Sequence, residues 1–184
     1  PLFYMTWGRK NGDASNCAAY PPICTYEGMQ QRLRESYMEM ASTNQGRISP
    51  VGTAWKRVRK EYPGIELYAP DESHPSYAGS FLAASLFYCS VFQKSCEASD
   101  FVGSLDSTTA SILRKIASET VLDSLGLWGF IEADVLLDSI FLNYTYLTAS
   151  YSNADSVSWD FGNPLIGNSN DSLVIVEYPA EGEY

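Results

Sequence analysis

The spacing of apolar residues changes period part-way along the chain, and this constrains the fold more than any other feature. Up to about residue 125, short apolar runs alternate with segments whose apolar side chains recur every three or four residues; from about Ser139 the runs are short and β-prone, separated by Asn, Asp, Gly and Pro. Alternating strands and helices bury their apolar faces as a parallel sheet covered by helices, whereas closely spaced strands between turn residues suit a β-sandwich. The 184 residues therefore divide into an α/β unit and a β unit.

Charge divides the chain in a similar place. Residues 1–100 carry ten acidic and ten basic side chains, while residues 101–184 carry twelve acidic and two basic, which accounts for the whole net charge of −10. No Lys or Arg follows Lys115. A field of this sign repels nucleic-acid phosphates and anionic membrane surfaces, so neither is an expected partner. The longest mainly apolar run, Phe81 to Phe92, is well short of the roughly 20 residues that span a bilayer, and no membrane insertion is expected. The acidic tail reads as a solvated surface; Asp155, Asp160 and Asp171 lack the spacing of an EF-hand calcium loop. The chain opens on Pro1 and an apolar stretch, and stops at Gly182-Glu183-Tyr184 on what looks like the start of a strand, so a fragment at both ends is expected.

Within the first unit, Leu2 to Thr6 reads as a buried strand ended by Gly8, and residues 8–24 as a polar loop. Thr25 is a candidate N-cap for an amphipathic helix carrying Met29, Leu33, Tyr37 and Met40 and ending near Gly46. Ile48 to Val51 reads as a strand, Thr53 to Tyr62 as a basic helix stopped by Pro63-Gly64, and Ile65 to Tyr68 as a third strand or an extended loop. A turn-rich segment, Ala69 to Ser76, leads into an apolar helix from Tyr77 to Phe92, where Gly79, Ala83 and Ala84 admit close approach of another backbone. A further helix is expected from Ser107 to Leu125.

Cys17 and Cys24 flank a loop with little regular structure of its own, and a disulfide there would stiffen it. Cys89 and Cys96 would lie about 10 Å apart along a continuous helix, too far to bond, so they pair only if the helix ends near Gln93; buried thiols are the alternative. With a single histidine and no Cys-x-x-Cys, a structural zinc site is not expected, and no metal ligands or cofactor are assigned; calcium binding by Asp155, Asp160 and Asp171 stays open.

That histidine, His74, must supply any imidazole general base. It sits in a turn before a long helix, where open α/β sheets place their sites, and Asp71 stands three residues earlier. In a tight turn Asp71 can accept a hydrogen bond from Nδ1, fixing the tautomer and stabilising the imidazolium, as the base and its orienting carboxylate do in a hydrolytic triad. Acidic neighbours around a surface histidine are also common, so the pairing alone is weak evidence. Ser73 and Ser76 are better placed to cap the following helix than to act as nucleophile, and Gly167-Asn168-Ser169 matches a nucleophile turn only superficially, because no buried parallel strand precedes it.

Asp71-x-x-His74-Pro75-Ser76, then Gly79 and an apolar helix, resembles the last conserved block of the SGNH (GDSL-type) hydrolases. Phe3-Tyr4-Met5-Thr6-Trp7-Gly8, the Cys17 and Cys24 loop, and Pro50-Val51-Gly52-x-x-Trp55 also resemble late elements of that family, over about residues 1–125. The resemblance implies the C-terminal portion of a flavodoxin-like, three-layer α/β/α domain over residues 1–128, with Asp71 and His74 as catalytic residues. Thr6 and Trp7, after a strand on the presumed active face, are candidate substrate-binding residues, with packing an alternative for Trp7. The family's nucleophilic serine and most of its oxyanion hole belong to earlier blocks, so little or no turnover is expected of these residues alone.

Asn153 to Gly162, with its Trp159-Asp160-Phe161-Gly162 run, and the closing Tyr178-Pro179-Ala180-Glu181-Gly182-Glu183-Tyr184 resemble a PKD-type Ig-like module. The implied organisation is a linker over 129–138 and an incomplete β-sandwich over 139–184. Together the two resemblances imply a secreted or cell-surface bacterial ester hydrolase acting on a small-molecule or polysaccharide ester, including O-acetyl groups. The competing expectation is a non-catalytic surface or carbohydrate-binding protein with a degenerate SGNH-like domain.

Overall fold

The computed structural model describes residues 1–130 and, beyond them, the backbone of the strands within 132–177. The chain forms two compact units, Pro1–Gly129 and Phe130–Tyr184.

The first unit is mixed α/β, dominated by helices. Strands β1 (Leu2–Tyr4) and β2 (Arg47–Ser49) form a two-stranded parallel sheet, with Phe3 opposite Ile48. The pairing runs on by one bond from Met5 N–H to the Ser49 carbonyl at 3.1 Å. The unit has four α-helices, α1 (Tyr26–Thr43), α2 (Val51–Glu61), α3 (Tyr77–Phe92) and α4 (Ser107–Leu122), of which α1 and α3 pack on the sheet and α2 and α4 on the other helices. Thr25 caps α1, its hydroxyl accepting the Gly28 N–H at 3.1 Å.

Helix α2 shows how sequence sets burial. Val51, Ala54, Trp55 and Val58 fall on one face and are buried, while Lys56, Arg57 and Lys60 face outward. Arg57 reaches Glu61 at 3.0 Å on its own helix and Glu119 on α4 at 2.6 Å. Helix α3 is apolar around most of its circumference, and Phe81, Leu82, Leu86 and Cys89 are all buried where it packs on α4 and α2. The core gathers Met5, Trp55, Leu82, Leu86, Leu113 and Ile116.

Of the three-layer domain whose C-terminal portion is expected, the described residues show the mixed α/β character and a two-stranded parallel sheet, and the Ile65 to Tyr68 segment, read as a third strand or an extended loop, is the loop. Its backbone turns back on the loop that follows: Ser76 N–H bonds the Leu67 carbonyl at 2.8 Å, Ala69 N–H bonds the His74 carbonyl at 2.8 Å, and Tyr68 bridges Pro75. The Tyr68 N–H is taken by the Glu66 carboxylate at 2.9 Å. Backbone groups that a third strand would offer to β1 or β2 are thus used locally.

In the second unit, β3 (Glu132–Phe141), β4 (Tyr144–Ser152) and β7 (Leu173–Glu177) make a three-stranded antiparallel sheet in the order β3-β4-β7. β5 (Trp159–Asp160) and β6 (Asn168–Ser169) form a separate two-stranded ladder. Strand β3 occupies most of the stretch expected as a linker: Glu132 to Leu137 extends the β4 pairing, with an irregularity between Leu137 and Ser139. An Ig-like sandwich is not established by these strands. Of the residues that suggested one, Phe161, Gly162 and Tyr178 to Tyr184 lie outside the described residues, as do Asp155, Asp171 and Gly167 of the other sequence readings.

Candidate active site

The loop from Glu66 to Ser76 is tied down along its whole length. Glu72 occupies a left-handed backbone conformation (φ 59°), which turns the chain so that its own N–H reaches the Ala69 carbonyl at 2.9 Å. The Glu72 carbonyl accepts the Lys10 N–H at 2.9 Å, and its carboxylate accepts Asn11 Nδ2 at 2.8 Å. Tyr68 donates its phenolic O–H to the Gly8 carbonyl at 2.7 Å, and Arg59 donates to the Tyr68 hydroxyl at 3.2 Å and to the Lys10 carbonyl at 3.0 Å. At the end of the loop, Ser76 donates to the Glu66 carbonyl at 2.8 Å and accepts the Gly79 N–H at 3.1 Å, capping α3.

This scaffold sets Asp71 against His74. One carboxylate oxygen of Asp71 accepts the backbone N–H groups of Ser73 (3.1 Å) and His74 (2.9 Å), and the other lies 2.5 Å from His74 Nδ1. The carboxyl is held down to about pH 2, first by the imidazole and then by the two N–H groups. Both side chains are accessible, His74 at 79% and Asp71 at 50% exposure. His74 Nε2 makes no hydrogen bond with any described residue.

Thr6 and Trp7 follow β1 and take different directions. The Thr6 hydroxyl lies 3.5 Å from the Tyr37 hydroxyl on α1, and no group of the His74 loop bonds it. Trp7 does reach that loop, though not as an open wall. Its indole N–H donates to the Ser73 carbonyl at 3.0 Å, and its ring stacks on Trp55 with centroids 3.9 Å apart and planes 4° from parallel. Its polar atom is occupied in positioning the residue next to His74. The Trp7 contact spans 66 residues and those of Tyr68, Arg59 and Lys10 are almost as remote, so no local sequence signal marks them.

Of the two serines beside His74, Ser76 caps α3 as expected; Ser73 does not, contributing its N–H to Asp71 and its carbonyl to Trp7. Cys17 and Cys24 are disulfide-bonded, with Cα atoms 4.7 Å apart, and close the loop between β1 and α1. Among the described residues no helix is long and apolar enough to cross a membrane.

No family model and no curated protein matches the sequence. The fold is similar to that of a solved DUF4886 family protein from Bacteroides uniformis, with a TM-score of 0.58 at 17% identity over 66% of this chain. The chain spans about half (47%) of the length of that structure. At this identity the likeness concerns the fold alone.

Proposed function

We propose that these residues belong to an ester hydrolase of the SGNH type, in which His74 is the general base and Asp71 its orienting carboxylate. The observation that carries this reading is the 2.5 Å approach of Asp71 to Nδ1 on a loop tied by hydrogen bonds, with Nε2 bonded to no described residue. A carboxylate at Nδ1 favours the tautomer whose Nε2 lone pair accepts a proton. A serine hydroxyl brought to Nε2 would lose its proton there as its oxygen bonds the ester carbonyl carbon. The imidazolium, steadied by Asp71, would return that proton to the leaving alcohol, and water would release the acyl group by the same route.

This reading requires a serine and oxyanion-hole donors at Nε2 that the described residues do not supply, so the 184 residues alone are expected to turn over little ester. The substrate class is a small-molecule or polysaccharide ester such as an O-acetyl group. Residues 139–184 are read as part of a PKD-like module serving as a spacer or surface-binding unit; the antiparallel β3-β4-β7 sheet supports a β module without distinguishing its family. The Cys17–Cys24 disulfide is compatible with an extracellular location.

The test is hydrolysis of an aryl acetate by the protein translated from the complete reading frame that encodes these residues. His74→Ala is expected to lower kcat by roughly 10³-fold or more, and Asp71→Asn by a comparable factor. A His74→Ala protein that keeps its full rate overturns the assignment of His74 as the base, and a wild-type protein that hydrolyses no aryl acetate favours the non-catalytic binding protein.

A further inference from the structure

Helix α3 ends abruptly after Phe92. Gln93 adopts a left-handed conformation (φ 50°, ψ 42°), and its N–H closes the helix on the Cys89 carbonyl at 2.8 Å. The chain thereby reverses, and Cys96 returns over Cys89 with the two sulfurs 3.5 Å apart. Both are buried free thiols, Cys89 at 0% and Cys96 at 8% exposure. Ser118 of α4 accepts the Cys96 N–H at 3.1 Å, and its hydroxyl lies 3.5 Å from the Cys96 sulfur and 3.7 Å from that of Cys89.

We propose that Cys89 and Cys96 are a native disulfide-forming pair, whose bond ties the loop after α3 back to the end of that helix. This inference is independent of the hydrolase reading. The sulfurs are in contact, and the bond requires them to close to about 2.05 Å. The two thiols are not equivalent. The S–H of Cys89 and the hydroxyl of Ser118 stabilise an anion on Cys96 and hold that thiol below its ordinary range, while Cys89 is pushed up by its neighbour and by burial. Cys96 also lines a cavity of about 380 Å³ with Phe81, Tyr88, Phe101, Ser95 and Arg114, whereas Cys89 does not.

The order of events follows from this asymmetry. The Cys96 thiolate attacks one sulfur of a disulfide oxidant, such as glutathione disulfide, forming a mixed disulfide and expelling one oxidant thiolate. Cys89 then gives up its proton and attacks the Cys96 sulfur, forming the Cys89–Cys96 bond and expelling the second thiolate. The pair loses two electrons and two protons; the oxidant's disulfide gains both and leaves as two thiols.

The experiment treats the folded 184-residue chain with glutathione disulfide, quenches with N-ethylmaleimide in denaturant so that buried thiols are labelled, and maps the peptides without reduction. The expected result is a peptide linking residues 89 and 96, with neither cysteine carrying maleimide. The Cys89→Ser protein is expected to accumulate a stable glutathione adduct on Cys96, and Cys96→Ser to leave residue 89 unmodified. A wild-type protein in which both cysteines still take up maleimide, or in which Cys96 keeps glutathione, overturns the proposal without reference to either variant.

Discussion

The indole N–H of Trp7 donates to the backbone carbonyl of Ser73 at 3.0 Å, joining the segment after β1 to the peptide unit that precedes His74. The same ring lies flat on the buried Trp55, so the donor is held by the core of the first unit. Trp7→Phe keeps an aromatic ring on Trp55 and removes the donor. The expected loss is about 1 kcal/mol of unfolding free energy, approaching 2 if the Ser73 carbonyl is left without a partner. Urea denaturation measures the loss, and the ring resonances of His74, the chain's one histidine, should move with it. Unchanged stability and unchanged resonances would contradict a positioning role.

The Asp71 carboxyl has a testable titration. Its pKa is lowered on folding to about 2, so the ionised form is the one the folded loop favours. Its contribution to stability is fully present above the ordinary carboxylate range near 4 and is lost as pH falls through about 2. Side-chain ¹³C NMR should give a midpoint near 2 for Asp71. In His74→Ala the midpoint should rise only part of the way, because the Ser73 and His74 N–H groups still bind the carboxylate. A wild-type midpoint near 4 would contradict the pairing.

Gly79 stands where α3 crosses the start of the loop. A Cβ on it would lie 2.3 Å from the Leu67 carbonyl oxygen and 2.5 Å from Cη2 of Trp55. Alanine gains roughly 1 kcal/mol of helix propensity, but relieving those overlaps requires moving backbone and a buried indole. Gly79→Ala is therefore expected to destabilise the protein by about 1–3 kcal/mol, read as a lower urea midpoint. An equal or higher midpoint would show that the helix has room to shift.

Ser76 makes two hydrogen bonds with one hydroxyl, accepting from Gly79 N–H and donating to the Glu66 carbonyl. Ser76→Ala removes both and should cost about 1–2 kcal/mol. Ser76→Thr can keep both and should recover most of it. Thermal unfolding of the two variants provides the comparison, and equal melting temperatures for Ala and Thr would contradict the capping role.

How much of this could be read from sequence depended on the distance between the interacting residues. The Asp71–His74 pair lies within one turn, and the apolar run from Tyr77 to Phe92 became α3 because burial on several sides suits an evenly apolar helix. The Ile65 to Tyr68 segment stays open between strand and extended loop in the sequence because its composition suits a strand, while its backbone partners are the residues of the next turn, which makes it the loop. Residues 129–138, read as a linker, carry acidic side chains that suit solvated chain, while Glu132 to Leu137 pair with β4. The Trp7–Ser73 bond and the contacts of Arg59 and Tyr68 join segments dozens of residues apart, and periodicity carries no information about them. The approach of Cys89 to Cys96 depends on where α3 ends, which periodicity does not specify.

The most direct measurement is the proton position on the His74 ring, observed by long-range ¹H–¹⁵N NMR at a pH where the ring is neutral. With one imidazole in the chain, assignment is unambiguous. If Asp71 orients His74 for base chemistry, the proton resides on Nδ1, Nε2 behaves as a bare acceptor, and Asp71→Asn shifts the proton toward Nε2. A proton on Nε2 in the wild type, or the same distribution with and without the Asp71 carboxylate, would remove the basis for assigning these two residues a catalytic task.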